Sequence, residues 1–278
     1  MCGGKNTGVG DNWRVPEALW QRIEPLLPAE GPKPKGGRPR VSARECMDGI
    51  FYIQRTGCQW KALPRCLGAA STVHDRFQEW RAAGVFERLW QEGLIEYDAR
   101  HGLDWECQAM DGAMTKAPLG GGEGTGPNPT DRGKTGTKRS LLTEGHGMPI
   151  AVVVDGANRH DMKLVERTLE ATIIQRPEPT PDLPQNMCLD KGYDYPEVRA
   201  LVAAWGYTGH IRSRGEERVE KATIPGYRAR RWVVERTHSW LNRFRRLLIR
   251  WEKKVENYLA MLHLACAWIT FRASGVFG

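Results

Sequence analysis

Apolar residues recur three or four positions apart in the first hundred residues of this 278-residue chain, the spacing typical of helices that bury one face. Gly57 and Gly84 follow two of these segments, and glycine often ends a helix because it adopts left-handed backbone angles. Ser42 stands three residues before Glu45, which predicts a capping box, and Ser71 is predicted to cap the next helix. The pattern predicts four helices, over residues 16–27, 42–56, 71–81 and 85–99.

After residue 100 the pattern changes to short apolar runs separated by helical segments. Five runs predict strands, and the first and the fourth end at Asp111 and Asp190. The stretch 117–137 is rich in Gly, Pro and Thr and is predicted to be loop. Strands come first and then alternate with helices, which predicts an α/β or α+β domain with a mixed sheet. The predicted strands cover residues 105–110, 138–142, 149–154, 187–189 and 207–211, and the predicted helices cover 161–175 and 196–205.

The segment 227–251 has the length and periodicity of one long amphipathic helix, and the apolar stretch 258–271 predicts a core helix after it. Eight arginines and a single acid, Glu235, stand between positions 228 and 250. Like charges at neighbouring helical positions repel, whereas guanidinium groups suit phosphate well. Two interpretations follow from this helix alone. Glu235 is either the partner of Arg231 and Arg236, or a metal ligand beside arginines that hold a nucleic-acid backbone.

The distribution of charge favours a polyanionic partner. The formal net charge is +8. Residues 1–100 carry 15 − 12 = +3, residues 101–226 carry 15 − 18 = −3, and residues 227–278 carry 11 − 3 = +8. The seven cysteines are odd in number and form no short metal or redox motif, which fits a reducing cytoplasm. No apolar run approaches the roughly 20 residues that would span a bilayer, so we expect no membrane partner.

Three acids are the candidates for chemistry: Asp111 and Asp190 at predicted strand ends, and Glu235 on the basic helix. Open α/β sheets place their sites at strand ends, and carboxylate oxygens suit hard cations such as Mg²⁺. The alternative is that these aspartates only form turns or helix caps. Asp155, Asp161 and Asp194 are further acids in the same part of the chain, so spacing alone leaves the choice of acids open.

Basic residues in the N-terminal region are candidates for DNA contact. Arg38 and Arg40 belong to a Gly-Arg-Pro-Arg tract, which either lies in a minor groove or forms a solvated loop. On the predicted helix 71–81, His74, Arg76 and Arg81 are predicted to point outward. Short helices with basic outer faces are consistent with a helix-turn-helix-like module whose 71–81 helix reads the major groove, although many small helical domains share this pattern.

Several segments carry a resemblance to a known family. The chain resembles DDE transposases of the insertion sequence five family in five segments: MDGAMTKAP, PNPTDRGKTGTKRSLLTEGHGMPI, GANRHD, CLDKGYDYPEVR and ARRWVVERTHSWLNRFRRLLIRWEKK. The most specific are Asp-Lys-Gly-Tyr at 190–193 and Arg-Arg-Trp-Val-Val-Glu-Arg at 230–236. Residues 36–60 and the helices after them resemble the helix-turn-helix-like domain that precedes the catalytic domain in that family. The resemblance extends from about residue 15 to residue 268.

This resemblance implies an RNase H-like catalytic domain over residues 101–278, preceded by a small all-α, helix-turn-helix-like DNA-binding domain over 1–100. It also implies that Asp111, Asp190 and Glu235 bind Mg²⁺ or Mn²⁺, expected as two ions. Arg231 matches a family phosphate contact. The family's tyrosine and lysine positions hold Arg228 and Asn242 instead, with Tyr227 one place away from the first. Phosphates are expected to be neutralised by Arg231, Arg236, Arg243 and Arg246.

The expected function is that of a DNA transposase. It would bind the inverted-repeat ends of an insertion sequence, cleave them, and join the 3′-hydroxyl ends to target DNA by phosphoryl transfer. A homodimer that pairs two double-stranded ends is expected, in the cytoplasm and associated with the nucleoid. A metal-dependent nuclease without strand transfer and a DNA-binding protein without catalysis are the alternatives. The first would share the three acids, and the second would not need them.

Overall fold

The computed structural model describes residues 10–31, 39–211, 219, 222–223 and 232–277. Arg38, Tyr227, Arg228 and Arg231 lie outside these described residues. The helices within them are α1 (Glu17–Ile23), α2 (Ala43–Thr56), α3 (Ala70–Ala82), α4 (Val85–His101), α5 (Val165–Glu170), α6 (Pro196–Ala204), α7 (Trp232–Asn242), α8 (Arg245–Leu248) and α9 (Val255–Ala273). The strands are β1 (Cys107–Lys116), β2 (Gly126–Pro127), β3 (Thr135–Thr143), β4 (Pro149–Gly156), β5 (Gln185–Leu189) and β6 (Tyr207–Ile211).

The four predicted N-terminal helices are confirmed as α1 to α4. Gly57 ends α2 at φ 72° and Gly84 precedes α4 at φ 70°, the left-handed region that glycine adopts without a steric penalty. The predicted caps were wrong in detail. Ser42 precedes α2 but its side chain makes no capping hydrogen bond, and α3 begins at Ala70, so Ser71 lies inside the helix.

The strands form one mixed sheet in which β1 is central. β1 pairs antiparallel with β3 and parallel with β5, and β6 continues the parallel side. β2 and β4 pair antiparallel with different ends of β3. The order β4-β3-β1-β5-β6, three antiparallel strands followed by two parallel ones, is that of an RNase H-like sheet, as predicted. The predicted end of β1 at Asp111 was wrong, because pairing with β3 carries β1 on to Lys116.

The helical region and the sheet region share one hydrophobic core. The predicted core helix is confirmed as α9, which packs along α4. Their backbones approach closely at Gly93, where a Cβ would meet Thr270 Oγ1 at 2.5 Å and the Phe271 ring at 3.1 Å. Trp90 of α4 also donates its Nε1–H to the carbonyl oxygen of Pro149 at 3.0 Å, which joins α4 to β4. No helix among the described residues is long and apolar enough to cross a bilayer.

Two predicted helices differ from the structure. The segment predicted as one helix over 227–251 is interrupted after α7, where Phe244 is extended at φ −88° and ψ 98°. The chain then leaves α8 and passes along the end of β1: Ile249 bridges Lys116, and the Arg250 N–H donates to the Lys116 carbonyl oxygen at 2.8 Å. The predicted helix over 161–175 is a 3-10 turn, Asp161–Leu164, followed by the short α5.

Candidate active site

Asp111 and Asp190 lie level with each other on neighbouring strands. The parallel register of β1 and β5 pairs Cys107 with Asn186 and Ala109 with Cys188, an offset of 188 − 109 = 79 residues. The same offset continued past β5 gives 111 + 79 = 190. Asp190 follows directly after β5, and its Oδ1 accepts a hydrogen bond from the Gly192 N–H at 2.7 Å. The Asp-Lys-Gly-Tyr segment therefore begins with an aspartate that also caps a 3-10 turn.

Glu235 reaches the same region on α7, which packs against β1 and β3. His238, one helical turn beyond Glu235, connects the two elements. Its Nδ1 lies 3.3 Å from Arg139 Nε, which donates to it, and its Nε2 lies 3.4 Å from the Asp111 carbonyl oxygen. Burial, followed by the Arg139 charge, lowers the pKa of His238 to about 3. The ring is therefore neutral at physiological pH, carries its hydrogen on Nε2 and donates it to the Asp111 carbonyl oxygen.

The acids interact electrostatically. Burial raises the pKa of Asp111 to about 6; a hydrogen bond from the Gly112 N–H opposes the rise, and Asp190, Asp161 and Glu235 add to it. The structure therefore brings the three predicted acids near each other, while the Glu235 side chain stays exposed. Carboxylates crowded in this way favour a bound cation, because it relieves their mutual repulsion.

Asp161 is a fourth acid at this site, and Lys138 is its partner. Lys138 is buried, with its Nζ 3.0 Å from Asp161 Oδ2 and 2.7 Å from the Arg159 carbonyl oxygen. Gly112 permits this approach, since a Cβ there would collide with the Asp161 carboxylate. Lys138 is absent from the predicted site residues. It lies in the segment PNPTDRGKTGTKRSLLTEGHGMPI, whose resemblance to the family was the signal that could have found it.

The other acids left open by the sequence have basic partners. Asp155 pairs with Arg167 at 2.6 Å and with Arg159 at 3.5 Å. Asp194 pairs with Arg199 at 2.8 Å. Guanidinium groups therefore already engage both of these carboxylates.

The residues fit a hard divalent cation by the chemistry of their donors. Asp111, Asp190 and Glu235 offer only carboxylate oxygens, which Mg²⁺ and Mn²⁺ prefer, and the exposed Glu235 leaves room for further oxygen ligands. Within the described part of the chain, no three His, Cys, Asp or Glu side chains already stand close enough together to form a metal cluster.

The predicted DNA contacts of the N-terminal region differ in exposure. Arg76 is buried and pairs with Glu30 at 2.5 Å and Glu79 at 3.1 Å, so the prediction that it points outward was wrong. It belongs to the buried face of α3, together with Val73, Phe77 and Trp80. Arg40 pairs with Glu79 at 3.5 Å at the surface. His74 and Arg81 are half-buried.

The predicted phosphate contacts on the basic C-terminal segment also differ in exposure. Arg246 is buried and pairs with Glu252 at 2.6 Å, so the prediction that it faces phosphate was wrong; the break after α7 turns it inward. Arg236 lies between the rings of Trp232 and Trp240, at 4.4 Å and 4.7 Å from their centroids. Arg243, the third predicted phosphate contact that the structure describes, is exposed.

Asn242 stands at the family's lysine position and has a structural partner. Its Oδ1 accepts a hydrogen bond from Arg139 Nη2 at 2.6 Å. The same guanidinium group donates to His238 through Nε, as described above. Arg139 thus holds two side chains of α7 to β3.

Two family models match this chain. The one described as "Transposase DDE domain" matches residues 106–270, and the one described as "Putative transposase of IS4/5 family" matches residues 15–90. A putative transposase for insertion sequence element IS402 from Burkholderia cepacia is 37% identical over 160 residues, which cover 53% of this chain and 70% of that protein. An uncharacterized 16.2 kDa protein of the same element and organism is 36% identical over 121 residues, covering 41% and 80%.

Solved structures of Mos1 transposase also align with this chain. The catalytic domain of Mos1 mariner transposase is 13% identical at a TM-score of 0.30, covering 68% of this chain and 93% of that one. The Mos1 mariner paired end complex with Mn is 12% identical at a TM-score of 0.27, covering 82% and 84%.

Proposed function

The chain belongs to the transposase DDE-domain family and is a DDE transposase, and from this premise we propose that it cleaves DNA at the ends of an insertion sequence and joins the freed 3′-hydroxyl groups to target DNA. One observation carries the assignment of the site. Asp111 and Asp190 stand level on adjacent strands, and α7 is held to the same strand beside Glu235.

We propose that Asp111, Asp190 and Glu235 hold the divalent metal whose use the family implies, as two Mg²⁺ or Mn²⁺ ions. Such ions, when bound, make a water or 3′-hydroxyl more nucleophilic and stabilise the leaving oxygen. Burial is the main cause of the raised pKa of Asp111, and the repulsion that Asp190, Asp161 and Glu235 add to it supports this assignment. Because Asp111 and Asp190 are half-buried and Glu235 is exposed, the two aspartates would anchor the site, whereas Glu235 would meet the DNA side.

The chain's own residues would position this site. Neutral His238 holds the backbone of Asp111 without adding a charge that would compete with a metal. Lys138 compensates the charge of Asp161 and fixes it beside Gly112. These contacts would keep strand, helix and turn in one arrangement while DNA binds, which is how positioning contributes to phosphoryl transfer.

The partner proposed is double-stranded DNA, both as inverted-repeat ends and as target. Residues 1–100 would recognise the ends and residues 101–278 would cut and join, in a homodimer that pairs two ends in the cytoplasm. Arg40, His74, Arg81, Arg236 and Arg243 remain candidate DNA contacts. Arg38 and Arg231 are proposed on the sequence alone. The +8 charge of residues 227–278 supports a polyanion near the site.

The test is cleavage of a labelled inverted-repeat duplex in Mg²⁺ by the wild type, by Glu235→Gln and by Glu170→Gln. Glu170 is an exposed helical glutamate on α5 and serves as the matched control. We expect Glu235→Gln to lose at least about 100-fold in cleavage rate and to bind the duplex as tightly as the wild type without metal. Cleavage by Glu235→Gln at the wild-type rate would refute the site.

Joining is tested separately with a pre-cleaved end and a supercoiled target. The wild type is expected to produce joined products, and Asp190→Asn is expected to produce none. A wild-type protein that cleaves ends but never joins them would reduce the function to that of a metal-dependent nuclease.

A further inference from the structure

A cavity of about 350 Å³ opens at the carboxyl end of α7. Three guanidinium groups line it from different parts of the chain: Arg55 from α2, Arg243 from the turn after α7, and Arg272 from α9. The aromatic rings in its wall are Trp240, Phe244 and Trp268. We call it the arginine–aromatic pocket.

The three arginines have no counter-charge within the described part of the chain. Among the described residues, no carboxylate pairs with Arg55, Arg243 or Arg272, and none of the three guanidinium groups donates a hydrogen bond to the protein. Burial and then repulsion from Arg272 and Arg243 lower the pKa of Arg55. The buried Arg76 and Arg246, by contrast, each have a glutamate within hydrogen-bond distance. A cluster of like charges that a protein leaves uncompensated is suited to an anion from outside.

The aromatic wall adds a second requirement on the ligand. Arg55 lies over the rings of Phe244 and Trp268, at 5.6 Å and 5.7 Å from their centroids. Phe244 is buried, whereas Trp240 and Trp268 are half-buried and open to the cavity. Small anions such as inorganic phosphate would use the guanidinium groups alone. A ligand that carries a planar base beside a phosphate would use both kinds of wall.

We propose that the arginine–aromatic pocket binds one nucleotide of single-stranded DNA, its phosphate against the three guanidinium groups and its base against the tryptophan rings. The identity of the ligand as DNA rests on the proposed function. The cavity is large enough for a nucleotide-sized group. Arg243 follows Glu235 by eight residues, roughly 12 Å of helical rise, so a strand held here would pass near the acids. The pocket would hold an end opened next to the cleavage site.

The first test measures binding of a labelled mixed-sequence single strand of about ten nucleotides to the full-length protein in EDTA. Arg272→Gln removes one exposed charge of the pocket, and Arg245→Gln removes an exposed charge on α8 outside it. We expect Arg272→Gln to bind at least about tenfold more weakly, with the slope of log K against log salt reduced by about 0.7. Arg245→Gln is expected to stay within about twofold of the wild type.

The second test compares the same strand with an abasic strand of equal length. The wild type is expected to prefer the strand with bases by at least about fivefold, and Trp240→Leu is expected to lose that preference. Wild-type affinity and salt slope in Arg272→Gln, or equal binding of both strands by the wild type, would overturn the proposal. Both binding assays are run in EDTA, so they do not depend on metal held by the acids. Failure of the cleavage assay would therefore refute the proposed function without refuting single-strand binding by the pocket. Failure of single-strand binding would refute only the proposal for the pocket.

Discussion

His238 lies one helical turn beyond Glu235, and its Nε2 is 3.4 Å from the main-chain carbonyl oxygen of Asp111. This contact connects the helix that carries one candidate ligand to the strand that carries another. Because burial keeps the imidazole neutral, the contact is a hydrogen bond between uncharged groups. It fixes the position of α7 on the sheet without changing the charge of the site.

Replacing His238 by Phe is expected to slow DNA cleavage by about 10- to 100-fold, the range seen when groups that orient metal ligands are removed. Phe fills the same space but cannot donate to Asp111 or accept from Arg139. The rate should recover in part at higher Mg²⁺, because a displaced Glu235 would weaken metal binding. The measurement is cleavage rate against Mg²⁺ concentration at saturating DNA. An unchanged metal dependence would show that His238 is only a packing residue.

Replacing Arg246 by Ala is expected to lower the free energy of unfolding by about 3–5 kcal/mol, because it leaves the buried Glu252 carboxylate without its partner. Replacing both residues, as Arg246→Met with Glu252→Leu, should recover most of the loss. The exposed Arg243→Ala is the matched control and should stay within about 0.5 kcal/mol of the wild type. Urea unfolding of the three variants measures these differences. Equal stability of Arg246→Ala and Arg243→Ala would contradict the buried pair.

Replacing Gly93 by Ala is expected to destabilise the protein by about 1–3 kcal/mol, because the added Cβ would force α4 away from Thr270 and Phe271 of α9. The effect opposes helix propensity, which by itself would favour alanine. Ala99→Ser, at an exposed position on the same helix, is the control. Thermal unfolding checks the pair. A Gly93→Ala protein as stable as the wild type would show that the two helices are not in close contact.

Acid is expected to destabilise the protein through His263, which lies with its ring 5.4 Å from that of Trp90. Burial lowers the pKa of His263 to about 4 in the folded protein. As the pH falls below about 6.5, the unfolded chain binds the proton first, so stability falls progressively until the folded protein is protonated as well, below about pH 4. The loss attributable to this residue is at most about 3 kcal/mol.

His263→Phe keeps a ring beside Trp90 and removes the titration. As the pH falls from 6.5 to 4, the wild type should therefore lose more unfolding free energy than the variant does. Urea unfolding at several pH values measures it. A difference that does not change with pH would show that the imidazole is already solvated in the folded protein.

The sequence by itself determined the elements whose signals are local. Glycines that adopt left-handed angles ended α2 and preceded α4, and a short apolar run placed β6 at its observed bounds. Asp190 was predicted as a site residue because a short apolar strand ends directly before it. The resemblance in the Asp-Lys-Gly-Tyr and Arg-Arg-Trp-Val-Val-Glu-Arg segments pointed to the same acids and to the family.

Only the tertiary structure decided which charged side chains are free to act. Helical periodicity cannot distinguish Arg243, which lines a cavity, from Arg246, which is buried against Glu252. Lys138 of β3 contacts Asp161 of the 3-10 turn because Gly112 of β1 leaves space for the carboxylate. These three residues are distant from one another in the sequence. A charged side chain can be buried only where packing brings it a partner of opposite charge. Such contacts depend on the tertiary fold, so local sequence patterns do not reveal them.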